Sequence, residues 1–94
     1  MGREWLVALC NEGDLERPVR SWILPDKEQA LNAHGRIATR ARKHGVVATV
    51  APLEGDPPEG SLRYETADQV VAHYGSIERI WLDDLMPRIV QKPD

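Results

Sequence analysis

The chain has 94 residues, 41% of them hydrophobic and 29% charged, with a net charge of −3; that is enough for one small domain and excludes a wholly disordered chain. The longest apolar run, residues 5–10, falls far short of the ~20 residues of a membrane span. No charged-then-apolar leader opens the sequence, and the single cysteine, Cys10, lies inside that run and has no partner for an internal disulfide, so a cytoplasmic protein with a buried thiol is expected.

Residues 3–10, REWLVALC, read as a strand with Trp5, Val7 and Leu9 on one side and Leu6, Ala8 and Cys10 on the other. Apolar character on both sides predicts a central strand. NEGDLERP, residues 11–18, reads as a polar loop or widened hairpin turn punctuated by Gly13 and Pro18. VRSWIL, residues 19–24, is a second strand with Arg20, Trp22 and Leu24 on one face.

The strongest local signal is the helix that follows, over Asp26 to His44. Asp26 can cap its first turn, Gln29 stands where a capping box has its return partner, and Gly45 supplies a left-handed residue at the far end. At 100° per residue, Ala30, Leu31, Ala33, His34, Ile37, Ala38 and Ala41 share one face. Glu28, Asn32, Arg36, Thr39, Arg40, Arg42 and Lys43 share the other, and the cations at its end suit the macrodipole.

VVATVAPL, residues 46–53, is a β-branched third strand, and strand–helix–strand with short joints predicts a parallel, right-handed crossover. EGDPPEG, residues 54–60, is an exposed acidic turn, and SLRYE, residues 61–65, is predicted to return as an antiparallel fourth strand. Thr66 and Gln69 form a second capping box opening a short helix that stops at Gly75. Ser76 then caps another, with Ile77, Ile80, Trp81 and Leu85 at helical spacing, ended by Pro87 and followed by a short strand or tail. The fold class is therefore α+β: three or four strands, one long amphipathic helix in a crossover, and two short C-terminal helices.

Residues 69–85, QVVAHYGSIERIWLDDL, resemble the helix-turn-helix of bacterial repressors. Gly75 stands as the turn glycine, after Val70, Val71 and Ala72, with Trp81 and Leu85 at later core positions. The resemblance implies DNA recognition by the second helix. The sequence departs from the pattern in Ser76, where an aliphatic residue is usual, and in Glu78, Asp83 and Asp84, which repel phosphates; two helices packed on the sheet account for the stretch better.

Catalytic patterns fall short. There is no nucleophile elbow, glycine-rich phosphate loop or paired-cysteine metal motif; His34, His44 and His73 are not at ligand spacing, and the neighbours Asp83 and Asp84 diverge by about 100° on a helix. No catalytic residue, metal or cofactor is expected.

The charge is segregated: residues 27–45 carry +4 and residues 46–87 carry −6, a split that suits either internal pairing of the two halves or one basic and one acidic surface for different partners. Arg36, Arg40 and Lys43, with Arg42 beside them, form a cationic stripe that suits an acidic protein surface or a phosphate backbone. Trp5 and Trp22, if exposed, are anchor candidates for an interface. The expected function is a small non-enzymatic protein-binding module or regulator, and the Ala, Arg and Gly usage suggests a bacterial or phage source. Its partner is another protein with an acidic surface, or a second copy of the chain; no membrane is involved. Nucleic-acid binding through the basic face of the helix over 27–44 is the alternative, and an enzyme whose site is assembled from distant residues comes third.

Overall fold

The computed structural model describes the backbone of residues 3–91 and the side chains of residues 3–80. The elements are β1 (Trp5–Asn11), β2 (Asp14–Leu24), α1 (Lys27–Arg42), β3 (Val46–Pro52), β4 (Leu62–Arg63) and α2 (Ala67–Gln91). They build an α+β fold with one mixed sheet in the order β3-β1-β2-β4. No helix among the described residues is long and apolar enough to cross a membrane.

The two-sided apolar strand β1 is central, pairing antiparallel with both β2 and β3. β2 and β3 therefore run in the same direction, as a crossover requires, but β1 is inserted between them. The hairpin to β2 is tighter than predicted. β2 begins at Asp14, and its polar first half is accommodated by register shifts between Leu9 and Cys10 and between Cys10 and Asn11. Pro18 sits opposite Cys10 at this irregularity, a place where the missing amide donor costs little.

The fourth strand corrects another expectation: it is two residues long and parallel to β2. The segment after β3 carries the chain to the opposite edge of the sheet, so no antiparallel return beside β3 forms. Along that path Ser61 Oγ donates to Pro58 O at 2.7 Å and meets Ser21 Oγ at 2.6 Å. Ser21 therefore donates that bond.

Asp26 caps α1 as predicted, accepting from Gln29 N at 2.9 Å, and Gly45 takes φ +79° after the last turn. Ala30, Ala33, Ile37 and Ala41 are buried, but Leu31, assigned to the apolar face, is 45% exposed because it lies at that face's rim. The apolar side chains of α1 and α2 meet Val7, Leu9, Trp22 and Leu24 in one core, so both helices cover the same face of the sheet. On the other face Ala8, Cys10 and Ile23 are nevertheless buried, and the arm of β2 bends over Cys10, whose thiol donates to Leu15 O at 3.4 Å.

The largest correction concerns the C-terminal third. It is one 25-residue helix, not two short ones, and it runs through Gly75 and Pro87. An interior glycine costs about 1 kcal/mol of helix propensity, which packing of Tyr74 and Ile77 in the core on either side outweighs. With no turn at Gly75, the helix-turn-helix resemblance does not hold. The expected packing of Trp81 and Leu85, and the Asp83–Asp84 pair, concern side chains outside the described residues, as do residues 92–94.

Candidate functional site

The cationic stripe is largely engaged within the molecule. Arg36 Nη1 donates to Asp68 Oδ1 at 2.6 Å, and Arg40 Nη2 to Glu78 Oε1 at 2.5 Å, both across the α1–α2 seam. His44 Nε2 reaches Glu78 Oε2 at 3.1 Å, and Tyr74 Oη donates to the same carboxylate at 3.3 Å. The Arg40 guanidinium also lies 4.9 Å from the Tyr74 ring centre. Hydrogen bonds from Arg40 hold the Glu78 carboxyl below its ordinary range, with His44 adding to the effect against the opposing pull of burial. Burial, reinforced by Glu78, pushes the Tyr74 hydroxyl up to about 12.

Of the two arrangements that the segregated charge left open, internal pairing and a second molecule, Arg36 and Arg40 take the first, on α2. Arg42 and Lys43 are exposed and have no ion-pair partner among the described residues. The two candidate anchors fare differently. Trp22 is completely buried and cannot serve as an exposed anchor; its indole N–H donates to His73 Nδ1 at 2.8 Å. Trp5 is half-buried at the edge of the core, with Lys27 Nζ 5.8 Å from its ring centre.

A feature that residue-by-residue reading missed is the outer edge of β3, which pairs with no further strand among the described residues. Leu53 N donates to Glu4 O at 2.9 Å and Glu12 N to Gly45 O at 3.4 Å. The residues in step with them, Val47, Thr49 and Ala51, direct their main-chain groups to β1. Val46, Ala48 and Val50 therefore direct theirs outward. His34 Nε2 confirms that direction by donating to Ala48 O at 3.0 Å. β3 carries no charge and pairs with β1 along all seven residues without a bulge. The signal was present in VVATVAP, a strand without a single charged residue, but which edge it occupies depends on long-range pairing.

The opposite edge is built differently. β4 exposes only two residues, and Arg63 Nη1 is tied to Glu4 Oε2 at 2.5 Å. A cleft of about 280 Å³ lies there, lined by Glu4, Ile23, Pro25, Arg63, Tyr64 and Glu65. Among the described residues no group of three His, Cys, Asp or Glu side chains is placed to hold a metal ion. Cys10 is buried, and burial, with Asp14 nearby, pushes its thiol up, away from the reactive thiolate. No family model, curated protein or solved structure matches this chain.

Proposed function

We propose that the chain is a non-enzymatic protein-binding module that receives an extended segment of its partner along the outer edge of β3. The observation that carries this reading is the edge itself: seven uncharged, bulge-free residues with outward main-chain groups at Val46, Ala48 and Val50. Such a row is a template for strand addition, and proteins that avoid it use charges, bulges or short strands, as at β4. The half-buried side chains of Val47 and Thr49 line the helix-free face and supply apolar contact beside the main chain.

The basic helix takes a smaller part than its sequence suggested. With Arg36 and Arg40 bonded to α2, Arg42 and Lys43 remain to attract an acidic partner, an effect on encounter rate more than on affinity. The same internal pairing weighs against a phosphate backbone as the ligand.

The test is affinity capture from the native cell with two edge variants. Ala48→Pro removes an outward donor that β1 does not use, a substitution edge strands tolerate. Thr49→Lys places a charge beside the edge. The expected result is a stoichiometric protein that accompanies the wild type and is lost from both variants, with circular dichroism and thermal midpoint retained. Nucleic acid recovered instead, or a protein retained by both variants, overturns the reading.

A further inference from the structure

We infer that the strand received by β3 is the β3 of a second copy, so that the chain forms a two-fold dimer with one continuous eight-stranded sheet. This rests on the reading of β3 as a binding edge and names its partner. Antiparallel self-pairing with Ala48 opposite Ala48 sets Val46 opposite Val50. All three outward-facing residues then have both a donor and an acceptor to exchange. Sliding the register to bring Val46 opposite Pro52 loses a donor, since proline has none. The bond from His34 to Ala48 O does not block the pairing, because a carbonyl oxygen accepts two hydrogen bonds.

The helix above the edge repeats the symmetry. His34 lies level with Ala48, and Gly35 is the next residue along α1, so the axis through Ala48 passes close to the middle of the helix. On the flank turned away from α2, residues 28, 31, 35, 38 and 42 follow one another at helical spacing. They are Glu28, Leu31, Gly35, Ala38 and Arg42: an acid at one end, a base at the other, and small or apolar residues between. Glu28 and Arg42 stand seven residues on either side of Gly35, exposed and without an ion-pair partner among the described residues.

A helix joining two parallel strands runs against them, so antiparallel β3 strands bring antiparallel α1 helices. Glu28 of each copy then faces Arg42 of the other, twice per dimer. Leu31, 45% exposed in the single chain, is covered in the same contact. Gly35 permits close approach, for a side chain built there meets no atom within 4 Å in the single chain. Charge and main-chain geometry, which are independent features, select the same axis.

Sedimentation velocity from about 1 to 200 µM tests the dimer over the range where such contacts equilibrate. The wild type is expected to dimerise, and Gly35→Lys to be monomeric with unchanged circular dichroism. Glu28→Arg or Arg42→Glu alone should weaken association roughly tenfold, since each dimer contains the pair twice, and the double reversal should restore it. A wild type that stays monomeric, a dimer untouched by Gly35→Lys, or a double reversal no tighter than the singles overturns the inference. A monomer that still captures another protein in an Ala48→Pro-sensitive way rejects the second copy alone. A dimer that Ala48→Pro leaves intact rejects both the self-pairing and its register.

Discussion

The two flanks of α1 differ in almost every respect except sequence spacing. On the side of α2, Arg36, Arg40 and Gln29 each hold a specific atom of the second helix: Asp68 Oδ1, Glu78 Oε1 and the Ala67 amide. On the side of the β3 edge, the side chains of Glu28 and Arg42 have no ion-pair partner among the described residues, a Cβ at Gly35 would meet open space, and Leu31 is open to solvent. Polar residues are thus fixed inside the molecule while the less polar flank faces outward. The difference teaches that the helix has two distinct duties, holding α2 and bordering an open edge, and that mutations should separate them.

Between the flanks lies the buried stripe, where substitution should have the largest effect. Ile37 is fully buried, and Ile37→Asp places an unpaired charge there at a cost of several kcal/mol against a total of ~5–15. Loss of the thermal unfolding transition is expected; an unchanged midpoint would refute the facing of the helix.

The α2 flank comes next. Arg40→Glu removes a partner of the largely buried Glu78 and sets two carboxylates together, at a cost of about 1–3 kcal/mol in urea unfolding. The gap has a definite pH dependence. Because the folded Glu78 carboxyl lies below its ordinary 4.5, its contribution is present above that value and fades as pH falls through the folded pKa. Wild type and variant should therefore converge in acid. Gln29→Ala removes the acceptor of the Ala67 amide, 2.8 Å away, and should cost ~0.5–2 kcal/mol, the usual effect of losing a helix cap.

The open flank should give the smallest change, and of opposite sign. At concentrations where the chain is monomeric, Gly35→Ala adds a side chain into free space within a helix and should stabilise the folded chain by ~0.5–1 kcal/mol. A loss of stability in the monomer would mean that the flank already packs against the chain itself and that the contrast between the two sides is false.

Much of this architecture was legible where it depends on neighbours in sequence. Asp26, the buried alanines and Gly45 marked α1; Thr66 and Gln69 form the reciprocal cap that their spacing announced, at 3.1 and 3.4 Å. What escaped depends on partners far along the chain. Gln29 was assigned to its own helix, yet its side chain serves α2. Arg36 and Arg40 looked like a solvent-facing stripe because nothing local reveals Asp68 and Glu78. Gly75 and Pro87 read as helix ends by their intrinsic preferences, and Trp22 could be assigned to a face but not to a depth. The candidate edge was the least legible part. A strand's sequence shows what its two faces carry, whereas its place in the order of the sheet follows from the pairing of all the others.

The bond between Gln29 and the Ala67 amide also has a consequence for the order of folding. The first turn of α1 is closed by Asp26, three residues from the amide it accepts; that of α2 has its own Thr66–Gln69 box, but the acceptor of its Ala67 amide lies 38 residues upstream. Helix nucleation is the slow, unfavourable step, and a cap only three residues away is in place as soon as the turn forms. The distant acceptor becomes available after α1 has formed, so the seating of α2 against α1 should consolidate late, on the native side of the folding barrier. Gln29→Ala should then speed unfolding and leave the refolding rate nearly unchanged, while Asp26→Ala slows refolding as well. A chevron analysis of the two variants separates the local start of a helix from the docking of one helix on another.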